Sequence, residues 1–249
     1  VADLLMEKLL PAFRQIVLNN KDLPDLPVTV KTLTPAEAIG SPGNWDYPLL
    51  RGKEILIQAS IRGSLGQAFT GTPTPYQGSL SDILEFDLAR FENRAIFIAA
   101  LNALFRDQNL IKNTIHCRDN DPEECGRQVA LYLKQEHNPK KIGIAGYQPA
   151  LVNSCIDIFG ADSISLTDLS AGNLNKVFRG IKIEDGVLNT NKLIAENDLL
   201  LVTGSVFVNN TAEPFYDAAL KGIPLYFFGT TVAGIAHILG LKHICPLGS

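Results

Sequence analysis

The sequence predicts an α/β protein in which an α+β part precedes a parallel sheet covered by helices on both faces. In the second half of the 249-residue chain, short continuous apolar segments alternate with helical segments, often with a glycine at the junction. This alternation is typical of parallel sheets, whose strands are buried on both faces. In the first half, strand-like segments come first and helical segments follow, which is typical of an α+β arrangement.

The composition is that of a folded protein with a sizeable core. Apolar residues make up 46% of the chain, charged residues 19%, and the formal net charge is −4. Because there is neither a basic run nor a long apolar stretch, we expect no nucleic-acid or membrane partner. Four cysteines in a chain of this length do not indicate a disulfide framework. We therefore expect a cytoplasmic protein that binds a small molecule or a metal ion. The sequence is also compatible with a homo-oligomer.

The first predicted elements are a helix and three strands. Residues 3–18 carry apolar positions at helical spacing, with a kink expected at Pro11. A short β-segment follows at residues 28–33. The segments EILIQASI and LGQAFT then predict two strands joined by a tight turn at Arg62-Gly63.

Helices are predicted to complete the first part. GTPTPYQGS is predicted as a loop, and Ser79 or Ser81 as the cap of the helix LSDILEFDLA. A longer apolar helix is predicted at FENRAIFIAALNALFRDQ. We place the domain boundary after it, which gives an α+β domain over residues 1–117 and a parallel-sheet domain over residues 118–249.

The second domain is predicted to alternate strands and helices along its whole length. The predicted strands are KKIGIAG, SISLTDLS, DLLLVTG, PLYFFG and HIC. The predicted helices between them are PALVNSCIDIFG, KLIAEN, TAEPFYDAALKG and VAGIAHILG, three of which end at a glycine.

Four of these strands end in glycine or small polar residues, which predicts a ligand crevice. In doubly wound sheets, ligands bind outside the carboxyl ends of the strands, where the strand order reverses. Small residues let the backbone approach an oxygen-rich ligand, and the turn at Gly146 precedes a helix N-terminus that can face an anion. The predicted lining residues are Gly146, Tyr147, Asp168, Thr203, Gly204, Ser205, Asn209, Thr211, Gly229 and Thr230, with Arg62 of the first domain facing the same crevice.

Three of these residues also have a purely structural interpretation. Asp168 follows Gly146 by 22 residues, close to the spacing of the acid that accepts ribose hydroxyls in nucleotide-binding folds, but an aspartate in TDLSAGN can equally cap a turn. Thr211 can cap the following helix, and Arg62 can be an ordinary surface arginine. Both interpretations stay open for each residue.

The order of several segments resembles a known family. KKIGIAGYQPAL, ISLTDLS, NDLLLVTGSVFVNNTAEPF and PLYFFGTT are similar to the DUF364 family, for which heavy-metal chelation has been proposed. Upstream, LGQAFT and FENRAIFIAALNALF resemble its N-terminal companion domain, DUF4213. The resemblance covers roughly residues 55–247. It implies an enolase-N-terminal-like α+β domain followed by a Rossmann-like domain, with a ligand site in the cleft between them.

The sequence departs from the family pattern at three places. Family members often carry His-Phe-Pro where this chain has Tyr147-Gln148-Pro149, and they often carry Glu at the position of Asp168. Their later Gly-Pro pair is Gly229-Thr230 here. A metal site that depends on the family histidine is therefore not supported by this sequence.

The segment HCRDNDPEEC has three open interpretations. Thiolate and imidazole groups bind zinc, copper(I) or nickel, so His116, Cys117 and Cys125 are candidate ligands of a transition metal ion. The same segment is typical of a linker and helix start, with Asp121 as the cap and Pro122 at the first helical position. A regulatory disulfide between Cys117 and Cys125 is the third interpretation.

Three functional hypotheses follow from the sequence. The first is a metal-handling or metal-chelate-binding protein with its ligand in the interdomain cleft. The second is an enzyme that binds a nucleotide-like or phosphorylated small molecule at the strand ends. The third is a non-catalytic assembly module that forms a stable oligomer and leaves the cleft empty. The sequence contains no P-loop, HExxH motif or evident Ser-His-Asp arrangement, so it assigns no catalytic residue and does not decide whether the protein is an enzyme.

Overall fold

The computed structural model describes residues 3–43, 47, 49–50 and 54–249. Within these ranges the protein has a mixed α/β fold that combines an antiparallel sheet of four strands with a mainly parallel sheet of seven strands. The predicted α/β class is therefore confirmed.

The first part begins with the predicted helix. A π-helical turn, Leu5–Leu9, leads directly into α1, Leu10–Leu18. Pro11 lies near the start of α1, and the wide turn before it accommodates a residue that has no amide hydrogen. The elements that follow are β1 Pro27–Thr32, α2 Pro35–Ile39, β2 Ile55–Ile61, β3 Ser64–Thr70, β4 Tyr76–Ser79, α3 Leu80–Leu84 and α4 Phe91–Asp107.

The local predictions for the first part are mostly confirmed. β2 and β3 form the predicted hairpin, and both turn residues, Arg62 and Gly63, have positive φ. Ser79 caps α3 in a capping box, because its Oγ accepts the Asp82 N–H (3.2 Å) while the Asp82 carboxylate accepts the Ser79 N–H (2.8 Å). The loop prediction for GTPTPYQGS is wrong at its end, where β4 pairs with β1.

The second part shows the predicted alternation. Its elements are α5 Asp121–Glu136, β5 Ile142–Ala145, α6 Pro149–Phe159, β6 Ile164–Asp168, β7 Val177–Phe178, β8 Ile181–Asp185, α7 Gly186–Glu196, β9 Leu199–Thr203, α8 Glu213–Leu220, β10 Leu225–Phe228, α9 Ala233–Leu239 and β11 His243–Ile244. The cap prediction at the start of α5 is wrong. Asp121 lies inside the helix, and the residue before it, Asn120, makes no side-chain capping hydrogen bond.

The strand order places the ends of the parallel strands along one edge. The described strands of the larger sheet run in the order β11-β10-β9-β5-β6-β8-β7, in which only β7 pairs antiparallel. From β5 the chain moves outward through β6 and β8, and it then crosses to β9 on the other side of β5. The order therefore reverses between β5 and β9. In the smaller sheet the order is β3-β2-β1-β4.

Helix α4 joins the two sheets. Apart from its first turn it is almost entirely buried, and it belongs to an apolar cluster that runs from Phe13 and Phe97 in the first part to Phe207 and Phe227 in the second. A second cluster lies between α5, α6 and the strands β5 and β6. In the described part of the chain, no helix is long and apolar enough to cross a membrane.

Candidate functional site

The ends of β5 and β9 lie side by side where the strand order reverses. Gly146 has φ of +97°, and a Cβ on it would lie 2.6 Å from Cγ2 of Thr203, so the two chain segments are in close contact. Thr203 Oγ1 lies 3.1 Å from Ser205 Oγ. A Cβ on Gly204 would lie 2.8 Å from Val232. Glycines at this edge therefore serve close packing between the strand ends.

Asp168 closes the turn that follows β5. Its Oδ2 accepts the Tyr147 N–H at 2.7 Å, and its Oδ1 accepts the Ser170 N–H at 2.7 Å and the Asn173 amide at 3.3 Å. The Asp168 side chain is 8% exposed. Its lone pairs are largely engaged within the protein, which fits the turn-capping interpretation better than a free acceptor for ribose hydroxyls.

The start of α6 also uses its amide groups internally. The Gly146 N–H donates to the Thr167 carbonyl at 2.8 Å, and Gln148 Oε1 accepts the Leu151 N–H at 2.5 Å. Pro149 has no amide hydrogen to offer. These contacts occupy donors that a helix N-terminus would otherwise present to an anion.

The end of β10 is covered by the first part of the chain. Asn102 of α4 is fully buried and donates to the carbonyls of Gln67 (3.0 Å), Thr230 (3.2 Å) and Thr231 (3.1 Å). Its Oδ1 accepts the Gly234 N–H at 2.8 Å. Thr230 is fully buried, so it contributes to the interface between the two parts of the chain.

The segment after β9 is likewise anchored to α4. Arg94, which is 2% exposed, donates to the Phe207 carbonyl at 2.8 Å. Asn209 and Thr211 belong to the turn that this contact holds, and the Thr211 N–H donates to the Val206 carbonyl at 2.9 Å. Thr211 does not cap α8, because that helix begins two residues later.

Arg62 lies apart from the strand ends. It occupies the β2–β3 turn, is 47% exposed in its side chain and lies 3.7 Å from the Asp107 carboxylate. At roughly 3.3 Å per residue, the length of β2 places it about 25 Å from Glu54 at the other end of that strand. The surface-arginine interpretation therefore fits.

Glu54 is a site residue that the sequence did not single out. It directly precedes β2 and, as a whole residue, is exposed to solvent. Desolvation, followed by the charge of the nearby Asp168, raises its pKa to about 7. No described residue hydrogen-bonds or ion-pairs with the Glu54 carboxylate. The charge of Asp168, from the second part of the chain, thus acts on Glu54 of the first part, and neither carboxylate forms an ion pair with a described residue.

Three cysteines form a second chemical cluster, which we call the thiol cluster: Cys117, Cys125 and Cys245. Hydrogen bonds with Cys117 and Cys245, and one with the Leu247 backbone, lower the pKa of the Cys125 thiol. All three cysteines are free. Cys117 and Cys125 are candidate ligands from the sequence. Cys245 lies 120 residues beyond Cys125, so only the fold relates it to them.

His116 borders the thiol cluster. Its backbone N–H donates to Gln67 Oε1 at 2.7 Å, and its ring packs edge-on against Phe69 with centroids 5.5 Å apart. Burial lowers its pKa, and its Nδ1 has no partner among the described residues. Across the described ranges, no group of three or more His, Cys, Asp or Glu side chains is arranged to hold a metal ion, so ligation by His116, Cys117 and Cys125 stays a prediction.

Gly229 supports the thiol cluster from the end of β10. It has φ of +87°. The hydrogen bond with Cys125 and burial raise the pKa of the Cys245 thiol, and the backbone of Gly229 opposes that rise. The Gly248 N–H donates to the Cys245 carbonyl at 3.3 Å. The Gly229 carbonyl lies 2.9 Å from His243 Nε2. Gly229 was predicted to line a ligand crevice, and the structure places it against a thiol.

The surface of the described ranges carries two shallow grooves that lie elsewhere. One, of about 350 Å³, is lined by β1 and α2 together with Arg118. The other, of about 380 Å³, lies between α7 and α8. Neither is lined by a predicted strand-end residue or by the thiol cluster. Glu54 and Asp168 indicate a ligand site more specifically than these grooves do, because converging charge is more characteristic of ligand sites than an open groove is.

Comparisons with known proteins find similarity in structure. No family model matches the sequence, and no curated protein matches it at a significant level. A protein with unknown function from the DUF364 family of Pyrococcus horikoshii matches with a TM-score of 0.55 and 17% identity, covering 90% of this chain and 79% of its own. Another, from Desulfitobacterium hafniense, has a TM-score of 0.49 and 16% identity over 75% of this chain and 73% of its own. The first likeness shows a shared fold and supports the DUF364 resemblance at that level.

Proposed function

We propose that this protein handles a divalent metal ion, free or as a chelate, in the cleft where Glu54 faces Asp168. The observation that carries the proposal is the pair of carboxylates contributed by the two parts of the chain, with Glu54 unpaired among the described residues. Like charges in a desolvated site raise each other's energy, and a bound cation relieves that cost. Carboxylate oxygens are ligands for hard divalent ions such as Mg²⁺ and Mn²⁺.

The two carboxylates have different roles in this proposal. Asp168 already accepts hydrogen bonds from Tyr147 and Ser170, so it contributes a fixed negative charge. Glu54 is the group whose oxygens are free to become ligands. Because its pKa lies at about 7, metal binding displaces a proton from a fraction of the molecules at neutral pH.

We also propose that the chain is a DUF364-type protein. In this proposal an enolase-N-terminal-like domain of the DUF4213 type, residues 1–117, precedes a Rossmann-like domain, residues 118–249. The shared fold and the order of the sequence segments support it. The four free cysteines support a reducing compartment, which we propose is the cytoplasm.

The enzyme hypothesis has less support from the geometry. A phosphorylated ligand at the turn after β5 would need free amide donors, but Gly146, Tyr147 and Leu151 all donate within the protein. The Asp168 carboxylate beside them would also repel an anion. That hypothesis stays a prediction.

A titration with Mn²⁺ tests the metal proposal. We expect the wild-type protein to bind Mn²⁺ and the Glu54→Gln variant to bind it at least about ten-fold more weakly, because a ligand oxygen and its charge are lost. The wild-type affinity should also fall about ten-fold from pH 8 to pH 6 as Glu54 becomes protonated. Glu85→Gln, which changes an exposed carboxylate on the first part of the chain, is the matched control and should bind normally. Equal affinities for wild type and Glu54→Gln would refute the proposal.

A further inference from the structure

A row of polar side chains crosses the middle of the smaller sheet. Lys31 of β1 is paired with Gln58 of β2, and Gln58 is paired with Gln67 of β3. Directly opposed residues of neighbouring strands point to the same face of a sheet. The neighbours of Gln58 along β2, Ile57 and Ala59, point to the other face and belong to the apolar cluster that contains α4. The polar row therefore lies on the face that is turned away from α4.

Hydrogen bonds along this row fix the orientation of the Gln58 amide. The backbone N–H of His116 can only donate, and it donates to Gln67 Oε1 at 2.7 Å. Gln67 Nε2 therefore faces Gln58 and donates to its Oε1 at 2.9 Å. Gln67 is 2% exposed, so turning either amide over would leave a buried group unpaired. Gln58 Nε2 donates to no described residue, and its two N–H groups are available to a ligand.

The groove of about 350 Å³ lies over this row. Its lining residues are Lys31, Leu33, Ala36, Glu37, Gln58 and Arg118. Arg118 is held against α2, because its Nη2 donates to the Ala36 carbonyl at 3.0 Å. The N–H of the next residue, Asp119, donates to the Ile39 carbonyl at 2.8 Å and fixes the backbone on that side. The Nε and Nη1 groups of Arg118 donate to no described residue, so the groove has a second set of available donors.

The charges of the described lining residues leave a net charge of +1. Lys31 Nζ lies 2.7 Å from Glu37 Oε1, so these two side chains neutralise each other. The other oxygen of Glu37 accepts the Thr34 N–H at 2.9 Å in the capping box of α2. Arg118 has no such counterion among the described residues. A ligand with one negative charge therefore complements this groove.

We propose that this groove binds the carboxylate of a small organic acid. The carboxylate accepts hydrogen bonds from the Arg118 guanidinium and from the Gln58 amide, which line the same groove. Leu33 and Ala36 provide an apolar wall for a short carbon chain. A planar carboxylate matches the fork of donors on a guanidinium, and its single charge matches the net charge of the groove.

This site is separate from the proposed metal site. Glu54 and Gln58 are four residues apart on one extended segment, which corresponds to about 13 Å at roughly 3.3 Å per residue. Neither Glu54 nor Asp168 lines the groove. Failure of the metal proposal therefore leaves this one standing, and the reverse also holds.

An NMR titration with sodium butyrate tests this proposal. Butyrate carries one carboxylate on a short alkyl chain, and butyramide is a neutral control of nearly the same shape. In nitrogen-15-labelled, metal-free protein at constant ionic strength, butyrate should shift the Gln58 NH₂ and Arg118 Nε–H signals along a saturable curve, with a Kd on the order of 1 mM. Butyramide should bind at least about ten-fold more weakly, because hydrogen bonds to an ionised acceptor are stronger.

Two variants and a control identify the groups that bind. Arg118→Met keeps an unbranched side chain without the charged donors and should weaken butyrate binding at least about ten-fold. Gln58→Glu keeps an acceptor for Gln67 but replaces the NH₂ with a carboxylate that competes for Arg118, so it should weaken binding at least as much. Arg127→Met changes an exposed arginine of α5 that pairs with Glu124 (2.7 Å), and it should bind butyrate normally. The amide spectrum of each variant shows whether it is folded.

Four results would overturn the proposal. The first is the absence of a saturable shift in the wild-type protein up to about 50 mM butyrate. The second is equal affinity for butyrate and butyramide, which would show that the charge is not recognised. The third is unchanged affinity in a folded Arg118→Met variant. The fourth is tighter binding of inorganic phosphate than of butyrate in a parallel titration, which would assign the groove to a different anion.

Discussion

Replacing Asn102 with alanine removes the side chain that connects α4 to both β3 and the segment after β10. Its amide donates to the carbonyls of Gln67, Thr230 and Thr231, and its Oδ1 accepts the Gly234 N–H. Asn102 is fully buried, so these contacts are shielded from solvent. Asn102→Ala is therefore expected to weaken the interface between the two parts of the chain.

The size of the effect follows from the groups left without partners. A buried polar group that loses its partner costs about 1–3 kcal/mol, and the Gly234 N–H is one such donor. The three carbonyls share a single amide, so together they add about as much again. The expected loss is about 3 kcal/mol, which is a large part of the roughly 5–15 kcal/mol that stabilises a typical domain.

Urea denaturation followed by circular dichroism measures this loss. The midpoint should fall while the slope stays unchanged, since the surface exposed on unfolding is nearly the same. Asn93→Ala is the matched control, because Asn93 lies on the same helix and makes a single, more exposed hydrogen bond to the Asp87 carbonyl (3.0 Å). Asn93→Ala should lower the free energy of unfolding by less than about 1 kcal/mol. A loss for Asn102→Ala within about 0.5 kcal/mol of the Asn93→Ala value would refute this account of the interface.

Three further predictions concern single residues. The pKa of Glu54 rises from 4.5 to about 7 on folding. As pH rises through that window, the metal-free wild-type protein should therefore lose stability relative to Glu54→Gln, with no further change above it. The same pH dependence of Tm in both proteins would contradict this prediction. In urea denaturation, Gly146→Ala should destabilise the protein by about 2 kcal/mol more than Gly222→Ala. Both glycines have positive φ, but only at position 146 would the added methyl group clash with a neighbouring side chain. Equal losses would argue against that clash. Arg94→Met should cost about 3–5 kcal/mol in the same assay, because Asp3 and buried carbonyls lose their donor; a loss below about 1 kcal/mol would show that water replaces it.

The sequence predicts the parallel sheet well because its strands are short, continuous apolar segments. β5 and β9 are buried at nearly every position, and each is bounded by a polar or glycine residue that marks its end. The β7–β8 hairpin was missed because β8 alternates buried and exposed residues and β7 has only two residues. The short helix α2 was missed for a similar reason, since its start depends on the Thr34 capping box and not on a long apolar face.

The candidate site was only partly predictable. Because β5, β6 and β9 are parallel, Gly146, Asp168 and Thr203 lie at one edge of the sheet, where the strand-end rule predicts a ligand. That rule does not state which strand ends the first part of the chain covers, and so it included Thr230, which Asn102 buries. Glu54 had no distinguishing signal in the sequence, because it meets Asp168 only through the packing of the two parts.

The most direct test of the metal proposal is calorimetric titration with Mn²⁺ at pH 7 in two buffers of different ionisation enthalpy. The difference between the two heats gives the number of protons released on binding. The wild-type protein should release about half a proton, since Glu54 has a pKa of about 7, and Glu54→Gln should bind more weakly and release none. Absence of Mn²⁺ binding by the wild-type protein, or equal proton release by both proteins, would contradict the assignment of Glu54 as the metal ligand.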